Sequence, residues 1–304
     1  MNDKFFTNEN CTQKAESYWQ GNQLVKHFIK KSDVAKKVKD DMQVNELIKS
    51  KLLEIEEQYQ VKVLYAVESG SRAWGFPSKD SDYDVRFIYI HQSDWYLSID
   101  PQGIGKKRDV IEVPINDLLD ISGWEITKAL RLFRKSNPPL LEWMKSEIVY
   151  YQAYSFIDQM RALEPQVFYS NATLYHYLNM AKKNYQEFLQ GSEVKIKKYF
   201  YVLRPILACR WIEEKQTVPP ISFHELVDVM VSDAHLKREI EILLERKMAG
   251  DEMDLEPRVQ LINDFLESEM IRLEAYIKTI SIEIDDPTEK LNILFRNTLK
   301  KVWQ

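Results

Sequence analysis

Ser69-Gly70-Ser71-Arg72-Ala73-Trp74-Gly75-Phe76-Pro77-Ser78-Lys79-Asp80-Ser81-Asp82-Tyr83-Asp84-Val85-Arg86 is the stretch on which the fold turns. An apolar alternation, Val61, Val63, Tyr65 and Val67, precedes it and predicts a strand. Val85, Phe87, Ile88 and Tyr89 predict a second strand after it. Residues two apart on a strand share a face, so Asp82 and Asp84 are expected side by side. Adjacent carboxylates repel unless a cation lies between them, and their oxygens suit a hard ion such as Mg²⁺. The Gly70-Ser71 turn offers backbone N–H groups and a hydroxyl, which suit phosphate oxygens. One hairpin thus combines a phosphate cradle with a metal site.

Composition sets the frame around that hairpin. A chain of 304 residues has two domains as its natural prior, and 44% hydrophobic residues can fill a core. No apolar run reaches the roughly 18–20 residues that span a bilayer. Met1-Asn2-Asp3-Lys4 lacks the pattern of a signal peptide. Cys11 and Cys209 are the only cysteines, which fits a reducing cytoplasm and excludes a disulfide framework. A net charge of −5 argues against a protein coated in nucleic acid and leaves room for a local basic groove. His27, His91, His176, His224 and His235 have no metal-ligand spacing.

Along the chain, residues 1–42 read as an extension, with a loose polar start and one or two short helices over 14–40. Val44, Leu47, Ile48, Leu52, Ile55 and Tyr59 predict an amphipathic helix over 43–58. Beyond the hairpin, Gly103, Gly105 and Lys106-Lys107 mark a loop, and 109–115 predict a strand. Leu118 to Trp124 is read as leading into a helix whose apolar face is Ile126, Ala129, Leu130 and Phe133. Asn137-Pro138-Pro139 ends it. From about residue 151 helical spacing dominates, and Asp286-Pro287-Thr288-Glu289 is a helix start. The expected fold is α+β. An extension (1–42) precedes a small mixed sheet backed by helices (43–150), and an all-helical domain (151–304) follows.

Gly-Ser followed by Asp-x-Asp on a strand resembles the signature of the DNA polymerase β-like nucleotidyltransferase superfamily. The likeness extends through Glu68 to Phe76 and Asp80 to Tyr89. Asp120-Ile121-Ser122-Gly123-Trp124, Lys135 to Trp143 and Lys197 to Pro205 carry it on. These stretches are similar to the RNA-ligase-associated, RlaP-like branch, over most of the chain from about residue 43. The resemblance implies transfer of a nucleoside monophosphate from an NTP, with pyrophosphate leaving. It implies two Mg²⁺ ions (Mn²⁺ as the alternative), about 3.5–4 Å apart and bridged by Asp82 and Asp84. It also requires a third carboxylate. Asp120 is the choice because it leads, through Ile121, into Ser122-Gly123-Trp124, and Asp109 and Glu112 are the rivals.

On the same resemblance, Gly70, Ser71 and Arg72 would meet the triphosphate. Arg86 either touches a phosphate or neutralises an aspartate. Lys197, Tyr201 and Arg204 recur as one helical stripe, which either closes over the nucleotide or is a solvated face, and Lys198 serves if the register differs. Trp74 either stacks on a base or packs on its own loop. Association of the branch with RNA ligases makes an RNA end the expected acceptor. Nucleotidylation of a protein or small molecule, phosphohydrolysis by the same carboxylates and a non-catalytic nucleotide-binding module are the competing readings. A calcium loop would need Gly and Glu where Val85 and His91 stand.

Overall fold

The computed structural model describes residues 14–20, 23–29, 31–78, 81–99, 109–116, 118–250, 255–280 and 286–304. The start at 1–13 and the Gly103–Lys107 loop lie outside the described residues. The chain forms two compact units, Met1–Glu54 and Ile55–Gln304.

In the first unit, β1 (Lys14–Gln20) and β2 (Gln23–Ile29) pair antiparallel, and α1 (Lys31–Tyr59) follows, its last turn belonging to the second unit. This corrects the short helices expected over 14–40. The register sets Tyr18 opposite Val25 and Trp19 opposite Leu24. Aromatic and β-branched residues favour such pairing over helix. Helix α1 also begins twelve residues before the expected 43.

The second unit is built on a five-stranded mixed sheet. Its strands are β3 (Val61–Glu68), β4 (Tyr83–His91), β5 (Val110–Asn116), β6 (Leu119–Glu125) and β7 (Val149–Gln152), in the order β5-β6-β4-β3-β7. β4 and β6 run parallel, and the other neighbours are antiparallel. β3 is buried almost throughout, so it lies at the middle of the layers. Leu119–Glu125 is therefore a strand, which corrects the expectation that Ser122-Gly123-Trp124 starts a helix. The helix α4 (Ile126–Arg134) begins one residue after Glu125, whose side chain accepts the Thr127 and Lys128 N–H groups. That cap ends the strand and starts the helix.

Helices α4, α5 (Pro138–Lys145) and α6 (Phe156–Val167) bury Phe133, Leu141 and Phe156 in a core with Leu64, Val67, Ile88 and Ile90 of the sheet. Leu291 and Leu294 of α12 (Thr288–Trp303) join this same core. A second core lies among α7 (Ser170–Phe188), α8 (Ile196–Lys215), α9 (Phe223–Met230), α10 (Ala234–Ala249) and α11 (Gln260–Ile277). Phe76, from the turn after β3, is part of that helical core. A mixed sheet with helices, then a mainly helical remainder, is the α+β architecture expected; the remainder is not all-helical, because Glu193–Lys195 and Leu255–Pro257 pair as a short antiparallel sheet. Among the described residues no helix is long and apolar enough to cross a membrane.

Candidate active site

The site begins where β3 ends. The chain turns through a short helix, α2 (Gly70–Ala73), closed by Trp74 N–H to Gly70 O at 3.0 Å and Phe76 N–H to Ser71 O at 3.1 Å. Gly70 has φ +63°, and a Cβ on it would lie 2.3 Å from Asp84 Oδ2. Only glycine lets the turn approach that carboxylate.

The backbone of Asp84 is held on both sides. Its carbonyl accepts the Ser69 N–H at 2.9 Å, and its N–H donates to Glu68 Oε1 at 2.7 Å. Glu68 is fully buried and also accepts the Tyr150 hydroxyl. Burial pushes the Glu68 carboxyl above the usual range, against the hydrogen bonds from Tyr150 and Asp84.

Asp84 and Asp120 are register partners on the parallel strands β4 and β6. Arg86 forks between them, 3.1 Å from Asp84 Oδ1 and 2.8 Å from Asp120 Oδ2. The Asp84 carboxyl is nonetheless raised. Burial is the largest cause, Arg86 opposes it, and the charges of Asp120 and Asp82 push it further up. Asp82 is exposed and sits just before β4 begins, so it adjoins Asp84 from the strand entrance rather than from within the ladder. Among the described residues no three His, Cys, Asp or Glu side chains form a ready metal cage. The oxygens of Asp84 and its like-charged neighbours are still a donor set suited to a hard cation, which would relieve the repulsion that Arg86 relieves in part.

A two-lobed cleft opens in front of Asp82 and Asp84, and Asp120 lines neither lobe. The smaller lobe, about 120 Å³, is lined by Ser71, Ser81, Asp82, Lys197 and Lys247 among others. The larger, about 340 Å³, is mainly apolar and reaches Arg86, Tyr201 and Arg204. Gly70, Trp74, Asp84 and Tyr201 line both. The stripe Lys197, Tyr201, Arg204 on α8 thus faces the cleft. Arg204 is 1% exposed and pairs with Glu142 at 2.5 Å. Glu142 also accepts Trp74 Nε1–H at 3.2 Å and the Tyr177 hydroxyl at 2.8 Å. Trp74 packs on its own loop, 5.9 Å from Phe76, and also meets Tyr201 at 6.4 Å.

Several expected residues stand elsewhere. The Arg72 guanidinium lies 3.7 Å from the centre of the Tyr83 ring and lines neither lobe. Asp109 is engaged with Lys128 at 3.2 Å, and Glu112 is opposite Ser122 rather than Asp84. Lys198 lies over the Phe188 ring at 3.5 Å, outside both lobes. Two charged cleft residues escaped the sequence reading. Lys247 of α10 is 3% exposed, and its Nζ donates to Phe76 O at 3.0 Å. It occupies the same buried face as Leu236, Ile240, Leu243 and Leu244. A lysine within an apolar helical stripe is the signal that marks it. Glu142, among the buried Leu140, Leu141, Trp143 and Met144, carries the same signal.

An α+β fold whose sheet sets a Gly-Ser turn against paired aspartates is that of a nucleotidyltransferase-like protein. The RlaP family, described as the RNA repair pathway DNA polymerase beta family, matches residues 44–297. The chain belongs to this family. Its relative in Bacillus subtilis (strain 168), described as the uncharacterized protein YcgL, is 56% identical over 253 residues, which covers 83% of this chain and 95% of that protein. A solved nucleotidyltransferase-like protein from Exiguobacterium sibiricum 255-15 is 12% identical over 75% of this chain and 73% of that one. Its TM-score of 0.27 is too low to bear on the site.

Proposed function

We propose that the protein is a metal-dependent nucleotidyltransferase that moves a nucleoside monophosphate from an NTP to a hydroxyl on an RNA end. The observation that carries this is the register pairing of Asp84 with Asp120, directly in front of the Gly70 turn. Asp82, Asp84 and Asp120 would hold Mg²⁺ or Mn²⁺, which supplies charge neutralisation at the phosphates and a lowered pKa at the attacking hydroxyl. The family's RNA repair description supports RNA as the acceptor.

The chain's own residues do the positioning. Lys197 and Lys247 bring two positive charges to the smaller lobe, where Ser71 and Ser81 add hydroxyls. That lobe suits a triphosphate. The acceptor oxygen attacks the α-phosphorus, and the bond from that phosphorus to the bridging oxygen breaks. Pyrophosphate leaves with the electron pair. The hydroxyl proton passes to the Asp120 carboxylate, which is half exposed and can release it to water. Arg86 keeps Asp84 and Asp120 oriented between turnovers.

The test is incubation with each α-labelled NTP and Mg²⁺, with tRNA and broken RNA in one arm and cell protein in the other. Label on RNA is expected, reduced at least about 10²–10³-fold by Asp82→Ala or Asp84→Ala. Label on protein alone would sink the RNA acceptor. Label surviving both substitutions would overturn the site.

A further inference from the structure

The transfer chemistry just described uses only the mouth of the larger lobe, at Gly70, Asp84 and Arg86. Its volume, about 340 Å³, falls within the range of small-molecule sites, roughly 300–1,000 Å³. Pro139, Met180 and Pro205 form apolar walls, and Trp74 and Tyr201 supply aromatic ones. The lobe opens at Gly70 and Asp84, so whatever fills it ends at the point of transfer. The lysines line the other lobe, and the two arginines of this one are already committed to carboxylates, Arg86 to Asp84 and Asp120 and Arg204 to Glu142, which suits it poorly to a phosphate chain.

The aromatic wall is fixed before any ligand arrives. The Trp74 indole is tied to Glu142 through Nε1, and the Arg204 guanidinium lies 4.8 Å from its ring centre. Arg204 Nε and Nη2 are buried without a hydrogen-bond partner. Nη1 donates to Glu142. A pinned ring loses little freedom on binding, so stacking on it costs little entropy. Asn184 supplies a polar edge. Its Nδ2 donates to Met180 O at 2.9 Å, which leaves Oδ1 to accept a hydrogen bond from a ligand.

We infer that this lobe holds a nucleobase against Trp74 and Tyr201, whose rings stand at 79° so that the base meets one by its face and the other by its edge, and that Asn184 Oδ1 accepts an N–H from the base edge. Mainly apolar and aromatic walls, with Asn184 as a neutral polar edge and the charged side chains paired with one another, match a planar, uncharged ring better than a phosphate chain. The inference rests on the nucleotidyl-transfer reading and adds a specificity-determining residue to it. The base belongs either to the donor NTP or to the terminal nucleotide of the acceptor.

Isothermal titration separates these sources. Wild type, Asn184→Ala and Lys197→Ala are titrated with tripolyphosphate, with the four NTPs, and with short RNAs ending in each of the four bases, with melting curves to verify folding. NTPs binding wild type more tightly than tripolyphosphate, with an advantage for one base that Asn184→Ala reduces about five- to tenfold, would identify the donor base. Tripolyphosphate affinity would be unchanged by Asn184→Ala and weakened by Lys197→Ala. The same loss of discrimination among RNA ends, with the NTPs unaffected, would identify the acceptor base. If tripolyphosphate binds but Asn184→Ala changes neither discrimination, the lobe is not a base site and the transfer reading stands. If wild type binds neither tripolyphosphate nor any NTP, the transfer reading falls and this inference falls with it.

Discussion

Asp84 is held in an environment that disfavours its charge. Burial and the two neighbouring aspartates raise its carboxyl, and Arg86 offsets only part of this. The folded chain therefore retains a proton there at pH values above the ordinary 3.8, where the unfolded chain has released it. Stability falls as pH rises through the window between 3.8 and the raised value, and the penalty is fully present above that raised value. Asp84→Asn should accordingly lose turnover while melting at or above the wild-type temperature at pH 7. That advantage should shrink toward pH 4. Mg²⁺ should raise the melting temperature of wild type and not of Asp84→Asn, because the ion stabilises only the form that binds it. A variant that melts lower at pH 7 would show that the Arg86 ion pair outweighs burial and repulsion.

Strand β6 shows how an element can be hidden from periodicity. Its buried positions are Leu119, Ile121, Gly123 and Glu125, a clean alternation in space. In sequence the alternation breaks, because two of the four inward residues are glycine and a carboxylate. Each has a local reason. A Cβ on Gly123 would lie 2.2 Å from the Phe87 ring on the neighbouring strand. Glu125 turns inward to cap α4 and to accept the Tyr96 hydroxyl at 2.7 Å. Strands β3 and β4 and the helices α4, α7 and α8 were legible because their buried residues are mostly apolar, with Glu68, Thr173 and Arg204 the exceptions. Gly123→Ala should cost about 1–3 kcal/mol by overpacking. Denaturant titration should show part of that loss recovered in the double variant with Phe87→Leu, since the two sites share one space. Full additivity of the two substitutions would refute the contact.

Within the larger unit, sheet and helices are joined through the turn that carries the site. Phe76 sits in the helical core 5.0 Å from Phe200, and the Phe223 N–H donates to Trp74 O at 3.0 Å. Glu142 gathers Trp74, Tyr177 and Arg204 from three further elements onto one carboxylate. Removing it leaves the buried Arg204 charge uncompensated. Glu142→Ala should destabilise by about 3–5 kcal/mol, and Glu142→Gln by less because an acceptor oxygen remains. Equal melting temperatures for the two variants would show that the charge pair does not govern stability.

The sequence by itself determined the turn, the Asp82–Asp84 spacing, most of the helices and the α+β order. These depend on the two-residue and 3.6-residue periods and on turn residues, which are properties of neighbours along the chain. Only the tertiary structure decided that Asp120 stands opposite Asp84, that Arg86 bridges them, and that Lys247 reaches the turn from 171 residues away. Strand register and helix docking bring together residues with no shared local pattern, so their meeting leaves no trace in spacing. A charged residue in an apolar stripe, such as Lys247 or Glu142, is the one mark in the sequence of where such a meeting occurs.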